Sequence, residues 1–242
     1  MHTKEQLENI LFLDIETASS NPSFDQLPER MQALCEKKGK RYSREYDDYV
    51  PSVVYQDKAA IHAEFGRVVC ISCGYLRFSK DGSAPTLRMR SFYGEDEGKL
   101  LAEFAENVNK FCSKPGRVLC AHNGKEFDFP YLGRRFLINS LRIPYVLDVQ
   151  GKKPWETSFL DTMELWKFGD FKSYTSLETL AAIFDIPTSK DDIDGSQVST
   201  AYYNGEVERI KDYCEKDVAV TAGVMLRMSG FPADVSLEVS AV

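Results

Sequence analysis

The chain lacks long apolar runs. The longest early apolar stretch, Ile10 to Leu13, is far too short to span a bilayer. The first residues also lack the basic start and following apolar segment of a secretory signal peptide. We therefore expect no membrane partner and a cytoplasmic location.

The cysteine pattern contains neither a disulfide framework nor a zinc motif. Cys70 and Cys73 are the one suggestive pair, but they lie in an apolar run that predicts a strand. Residues three apart on a strand point to opposite faces, and no second CxxC exists to complete a zinc site. We predict buried, reduced thiols for all six cysteines, at positions 35, 70, 73, 112, 120 and 214.

Basic residues are outnumbered by acidic ones, 30 to 37, which gives a net charge of −7. This balance counts against tight, sequence-independent binding of nucleic acid. Clustered carboxylates that hold divalent cations would cancel part of the charge. A nuclease that releases its substrate therefore remains possible.

The composition, 43% hydrophobic and 28% charged, provides one sizeable core. We predict a single domain over residues 1–242, since α/β domains often reach this length. A polar insertion at about residues 17–63 is predicted to contain one helix near Pro28–Lys38. The charged run Lys37–Arg44 is either a solvated helix end or a lid that touches a phosphate backbone.

The apolar pattern predicts a mixed central β-sheet flanked by α-helices, which is an α/β fold. Asn9–Glu16 is predicted to be a central strand buried on both faces, because its apolar residues run without alternation. The other predicted strands are Arg67–Phe78 and Thr86–Tyr93, joined by a hairpin with Asp81-Gly82 at its tip, Arg117–His122 and a short strand at Tyr145–Val149. The predicted helices are Glu95–Cys112, Asp128–Asn139, Leu177–Phe184 with a capping box at Thr175–Glu178, and Glu206–Met228.

Acidic residues recur at three separated places in this pattern. Asp14 and Glu16 share one face of the first strand, and Asp128 stands at a helix start. Tyr213 and Asp217 share one face of the last helix. Taken singly, these residues are explained by a strand end, an N-cap before a proline, and an exposed helical stripe. Together, the four carboxylates can surround metal ions, as in a two-metal enzyme that cleaves phosphodiesters.

These residues carry a resemblance to the DEDD superfamily of 3′–5′ exonucleases, which has a ribonuclease H-like fold. Its three motifs match Leu13–Thr17, His122–Leu132 and Tyr213–Asp217. Asp212 stands where the His-type branch would have a histidine, so the chain resembles the Tyr-type branch, as in the proofreading domains of family B DNA polymerases. It is most similar to a bacterial group of stand-alone predicted exonucleases, which Lys190–Val198 also resembles. The resemblance covers most of residues 8–228.

The resemblance implies a catalytic site with two Mg²⁺ or Mn²⁺ ions. Their ligands would be Asp14, Glu16, Asp128 and Asp217. Tyr213 would orient the attacking water, since a phenol with a pKa near 10 is a poor general base. The reaction implied is hydrolysis of phosphodiester bonds at the 3′ end of single-stranded DNA.

The same resemblance implies that Thr17, Asn123 and Phe127 hold the 3′-terminal nucleotide, with Phe127 or a neighbour as a stacking face. Two alternatives remain open: an exoribonuclease that acts on short RNA, and a non-catalytic nucleic-acid-binding or protein-binding module with the same fold. A polymerase or repair partner is left undetermined.

Four further side chains are secondary candidates. His122 is expected to be a hydrogen-bonded structural histidine, and Asp161 is interpreted as structural. Trp155 and Trp166 could stack on bases, but such aromatic side chains more often belong to a core or its cover.

Overall fold

The computed structural model describes residues 1–79, 84–170, 172–188, 193–232 and 237–241. The strands in this part of the chain are β1 (Ile10–Ser19), β2 (Gly66–Arg77), β3 (Thr86–Tyr93), β4 (Val118–Ala121), β5 (Leu160–Asp161) and β6 (Glu238–Ala241). The α-helices are α1 (Lys4–Leu7), α2 (Glu29–Gly39), α3 (Pro51–Lys58), α4 (Glu97–Cys112), α5 (Asp128–Ile138), α6 (Thr162–Lys167), α7 (Leu177–Ile183), α8 (Val198–Tyr203) and α9 (Val207–Met228). Short 3₁₀ helices cover Phe24–Gln26, Lys40–Glu45 and Pro154–Glu156.

The strands form one mixed sheet in the order β5-β4-β1-β2-β3-β6. β1, β2 and β3 are successively antiparallel. β4 is parallel to β1, β5 to β4, and β6 to β3. Helices pack on both faces, so the predicted mixed sheet flanked by α-helices is confirmed.

Alternate side chains of β1 enter two cores on opposite faces of the sheet. Leu11, Leu13 and Ile15 pack with α4 and α5, whereas Ile10 and Phe12 pack with α9. Each of these side chains is at most 4% exposed. Burying a side chain of this size contributes about 1.5–3 kcal/mol. β1 is therefore fixed between two helical layers, as its continuous apolar run predicts.

A buried ion pair ties α4 to α5. Arg135 Nε and Nη2 lie 2.8 and 2.5 Å from the carboxylate oxygens of Glu97. The same carboxylate accepts a hydrogen bond from the backbone N–H of Val68 at 2.8 Å, and Arg135 also donates to the carbonyl of Ala63 at 2.7 Å. These contacts replace the lost hydration of both charges. They also join the start of β2 to the two helices.

The insertion at residues 17–63 contains more helix than predicted. The helix expected near Pro28–Lys38 is confirmed as α2, and an exposed 3₁₀ helix at Lys40–Glu45 follows, in agreement with a solvated helix end. α3 was not predicted. Val54 and Tyr55 are its buried residues, so its apolar periodicity is too weak to indicate a helix.

The strand predicted at Tyr145–Val149 is wrong. The backbone N–H groups of Leu147 and Asp148 both donate to the carbonyl of Pro144, which makes a turn. The neighbouring edge of β4 is taken instead by β5, which is two residues long and has no sequence pattern of its own. Because β5 occupies this edge of β4, residues 145–149 have no strand there to pair with.

Two other local predictions need correction or completion. α7 is capped by Ser176, whose Oγ accepts from Thr179 N at 3.2 Å, so the capping box expected to start at Thr175 was wrong by one residue. In the tail after Gly230, for which no element was predicted, residues Glu238–Ala241 form β6 beside β3. The antiparallel β2–β3 pair is confirmed. The tip of this hairpin, Asp81-Gly82, lies outside the described residues. The same is true of residues 190–192, the start of the segment Lys190–Val198.

All six cysteines are buried and free, as predicted. Cys70 packs with α8 and α9, whereas Cys73 packs with α4. The two side chains of the CxxC pair therefore lie on opposite faces of β2.

None of the helices described here is both long enough and apolar enough to cross a membrane.

Candidate active site

Two acidic side chains project from the middle of β1 towards α9. Asp14 and Glu16 alternate with Leu13 and Ile15, which face the opposite core. Asp14 is partly exposed and Glu16 is buried. The β1–β2 register shifts between Glu16 and Thr17. Such a bulge bends the strand and re-aims its side chains just after the acidic pair.

Asp128 approaches β1 from the first turn of α5. Its Oδ1 accepts a hydrogen bond from the backbone N–H of Ile15 at 3.2 Å, and its side chain is buried. Ile15 lies between Asp14 and Glu16, so this bond brings the third carboxylate to the acidic pair. The N-cap position belongs to Phe127, and the alternative interpretation of Asp128 as the N-cap was therefore wrong by one residue.

The turn before α5 is held by Asp161 at the end of β5. Its Oδ1 accepts from the backbone N–H of Asn123 at 3.0 Å and its Oδ2 from that of Lys125 at 3.1 Å. Oδ1 also accepts from Met163 N at 3.0 Å, which caps α6. These bonds agree with the structural interpretation of Asp161. They fix the turn that delivers Asp128.

Backbone geometry constrains the same turn. Asn123 has a φ of 61°, a left-handed conformation that asparagine tolerates better than most residues. A Cβ atom added at Gly124 would lie 2.4 Å from the Cβ of Ala121. Glycine at this position therefore allows the chain to turn directly from β4 towards α5.

Tyr213 and Asp217 come from α9, which packs across β1, β2 and β3. Both side chains are partly buried and lie one helical turn apart on the same face. Cys214, between them in sequence, has its Sγ 3.4 Å from both the carbonyl oxygen and Oδ2 of Asp14. This contact anchors α9 to β1 beside the acidic pair.

The carboxyl groups interact electrostatically. Burial raises the pKa of Asp14 well above its ordinary value, and Asp128 and Asp217 raise it further. Burial, followed by the charges of Asp14 and Asp217, raises the pKa of Glu16 in the same way. Burial raises the pKa of Asp128 to about 7 with help from Asp161 and Asp217, although backbone hydrogen bonds act in the opposite direction. Acids from three distant segments thus form one electrostatic cluster.

The donor set suits a hard divalent cation. One potential ligand atom from each of Asp14, Glu16 and Cys214 lies within 4.8 Å of the others. Carboxylate oxygens are the preferred protein ligands of Mg²⁺ and also suit Mn²⁺. Burial raises the pKa of the Cys214 thiol well above its ordinary value, so the thiol stays protonated and donates to Asp14. The mutual repulsion of the acids is of the kind that bound cations relieve.

The residues expected to hold a nucleotide adjoin the acids in sequence, but two are engaged within the protein. Thr17 is buried. Phe127 is half-buried, and its ring centroid lies 5.3 Å from that of Tyr131. Asn123 is partly exposed. Phe127 therefore presents part of its ring and packs the rest against Tyr131, whose hydroxyl donates to the carbonyl of Ala60 at 2.8 Å.

The secondary candidates are also placed. His122 Nε2 donates to the carbonyl of Thr175 at 3.0 Å, and its Nδ1 accepts from Thr162 Oγ1 at 2.9 Å. Burial lowers the pKa of His122, which favours this neutral, hydrogen-bonded form. The expectation of a structural histidine is confirmed. Trp166 packs against the core beneath α7 and α9, whereas Trp155 is exposed.

A protein-family model described as a predicted 3′–5′ exonuclease related to the exonuclease domain of PolB matches residues 59–240. The chain belongs to this family. The matched range contains Asp128, Tyr213 and Asp217, whereas Asp14 and Glu16 precede it. The fold joins the two parts of this exonuclease-family chain, because β1 pairs with both β2 and β4. No curated protein sequence matches the chain.

A solved structure shows the same fold in a larger protein. The family B DNA polymerase from the hyperthermophilic archaeon Pyrobaculum calidifontis is similar over 93% of this chain, with a TM-score of 0.55 and 17% sequence identity. The chain spans 26% of the length of that polymerase. The expected likeness to a family B polymerase and to a ribonuclease H-like fold is confirmed.

Sequence reasoning did not assign Cys214 to the site. The signal was present, because Cys214 lies three residues before Asp217 and so shares its helical face. A second contact had no sequence signal: Ser72 Oγ lies 2.9 Å from Ser91 Oγ, which donates to Glu215 Oε1 at 2.6 Å. This chain of hydrogen bonds ties α9 to β2 and β3 and thereby fixes the helix that carries Tyr213.

Proposed function

We propose that this member of the exonuclease family removes mononucleotides from the 3′ end of single-stranded DNA with the help of two Mg²⁺ or Mn²⁺ ions. The observation that carries the proposal is the acidic cluster. Buried or partly buried carboxylates from β1, α5 and α9 lie close together, and burial and the neighbouring charges raise the pKa values of Asp14, Glu16 and Asp128. Such an arrangement is costly in the absence of cations. Metal binding therefore explains the acidic cluster better than a contribution to folding stability does.

Asp14, Glu16, Asp128 and Asp217 would hold the ions. When bound, a pair of divalent ions can activate a water molecule and stabilise both the attacking and the leaving oxygen of a phosphodiester. Asp128 is already aimed at β1 by its bond from Ile15. Cys214 supports Asp14 through a hydrogen bond without competing for a hard cation.

Tyr213 would orient the attacking water as a hydrogen-bonding group. Burial raises the pKa of its phenol, and the charges of Asp217, Glu16 and Asp14 raise it further. The phenol therefore stays protonated at neutral pH and cannot act as the base. Thr17, Asn123 and Phe127 would border the 3′-terminal nucleotide, with the open part of the Phe127 ring as a stacking surface.

The test compares Asp217→Asn with the matched control Asp212→Asn on the same helix. Asp212 has an exposed side chain and is paired with Lys211 at 2.6 Å. The substrate is 5′-labelled single-stranded DNA with Mg²⁺, and we expect Asp217→Asn to slow 3′-end shortening by at least about 100-fold. Loss of a residue that only orients a metal ligand already lowers activity by about 10–100-fold, and Asp217 is proposed as a ligand itself. The control should stay near the wild-type rate, and Tyr213→Phe should weaken turnover without abolishing it. Full activity in Asp217→Asn would remove the proposed metal site.

Two further measurements separate the alternatives. RNA of matched sequence, if degraded faster than DNA, would indicate an exoribonuclease. Calorimetric titration with Mn²⁺ tests for a non-catalytic module. In that case we would expect no binding that depends on Asp14 or Asp217.

A further inference from the structure

A concave site lies on the face of the sheet opposite the acidic cluster. A cavity of about 490 Å³ is lined by residues of β1, β2, β3, the C-terminal part of α4 and the loop that follows α4. Its lining includes Leu11, which is paired with Tyr75 on β2. Leu11 and Asp14 point to opposite faces of β1, since they are three residues apart on the strand. The cavity is therefore separate from the proposed metal site.

Basic side chains dominate this cavity. It is lined by the six cations Arg77, Arg88, Arg90, Lys110, Lys114 and Arg117. Among the residues that the structure describes, no aspartate or glutamate belongs to the lining. This concentration of positive charge occurs in a chain whose net charge is −7. The charge of the cavity is therefore opposite in sign to the net charge of the chain.

Among the residues that the structure describes, few of these cations have an anionic partner. In the described part of the chain, Arg77 is the one cavity cation with an ion pair, and its Nη1 is 3.8 Å from Glu8. Arg88 and Arg90 project from the same face of β3, opposite Tyr75 and Cys73 of β2. Cations that converge in this way repel one another, and a bound polyanion would relieve that repulsion.

Arg117 is held in place at the edge of the cavity. Its Nη1 donates to the carbonyl of Phe111 at 2.9 Å, and its guanidinium lies 4.2 Å from the centre of the Phe111 ring. Its Nε is buried and has no hydrogen-bond partner among the described residues. The site therefore has a cation whose position is fixed by the protein.

The rest of the lining suits the non-phosphate part of a ligand. Leu11, Tyr75 and Phe111 supply apolar and aromatic surface, and Asn107 supplies an amide. A cavity of about 490 Å³ is in the size range of small-molecule sites, about 300–1,000 Å³. Inorganic phosphate would leave most of the cations unbalanced, and a nucleic-acid strand would need an extended groove. We propose that this cavity binds a nucleoside di- or triphosphate, with its phosphates on the arginine and lysine side chains.

The test measures binding of ATP and GTP by calorimetry in EDTA, so that metal binding at the acidic cluster does not contribute. The variant Arg88→Ala/Arg90→Ala is compared with Arg30→Ala/Lys37→Ala, which removes two exposed cations from α2. All four side chains are exposed, so we expect both proteins to fold, as circular dichroism would check. We expect the cavity variant to bind at least about tenfold more weakly and the control to change less than about twofold.

Several results would overturn the proposal. The wild-type protein would fail to bind ATP or GTP, or the Arg88→Ala/Arg90→Ala variant would bind them as tightly as the wild-type protein does. Tripolyphosphate that binds as tightly as ATP would show that the nucleoside is not recognised. A single-stranded oligonucleotide that binds more tightly than ATP, in a manner dependent on Arg88 and Arg90, would instead make this face a nucleic-acid surface. Each readout is independent of nuclease activity.

Discussion

The acidic cluster should make the metal-free protein less stable as the pH rises. The pKa of Asp128 is about 7 in the fold, compared with an ordinary value of 3.8. The folded state therefore binds this proton more tightly than the unfolded state, and the corresponding stability is lost as the pH rises from about 4 to about 7. One pH unit of pKa difference is worth about 1.4 kcal/mol, so ionisation of Asp128 alone lowers the free energy of unfolding by about 4 kcal/mol. The raised pKa values of Asp14 and Glu16 act in the same direction.

Asp128→Asn isolates this effect. The amide oxygen can still accept from Ile15 N–H, but the side chain cannot ionise. In EDTA at pH 8, we expect the variant to exceed the wild-type free energy of unfolding by about 2–4 kcal/mol, and the advantage to shrink as the pH falls and to vanish below about pH 4. Urea unfolding at several pH values measures the difference. The titration of His122 is present in both proteins and cancels in the comparison.

The exposed Asp212→Asn serves as the control and should show no such pH-dependent gain. Mn²⁺ should raise the urea midpoint of the wild-type protein more than that of Asp128→Asn, since a ligand that binds the folded state stabilises it. The reasoning would be refuted by wild-type and Asp128→Asn proteins with the same stability at pH 8 in EDTA.

Two further predictions concern the elements that hold the site in place. Arg135→Met leaves the Glu97 carboxylate buried without its cation, so the free energy of unfolding should fall by about 3–5 kcal/mol. Urea denaturation measures this loss, and a fall below about 1 kcal/mol would contradict the role of the pair. Gly124→Ala forces a new Cβ against that of Ala121 and should displace the turn that carries Asp128. Nuclease activity and Mn²⁺ affinity should both decrease while circular dichroism is retained, and wild-type values for both would contradict the steric argument.

The sequence predicted the long elements well because their signals are local. The buried run at Asn9–Glu16, the strand Thr86–Tyr93 and the amphipathic stretch Glu95–Cys112 appear as β1, β3 and α4 with boundaries within three residues. Short elements carried no such signal. β5 and β6 depend on the edges that other strands leave open, and α3 buries too few side chains to show a period.

The sequence by itself determined which side chains can carry the chemistry. The spacing of Asp14 with Glu16 and of Tyr213 with Asp217 places each pair on one face of its own element, since the backbone period is local. Only the tertiary structure decided that the pairs meet, with Asp128 bonded to Ile15 and Cys214 against Asp14. It also decided that the cations of β2, β3, α4 and the loop after α4 line one cavity on the other face. Both results arise from strand order and helix packing, which depend on contacts between residues far apart in the chain.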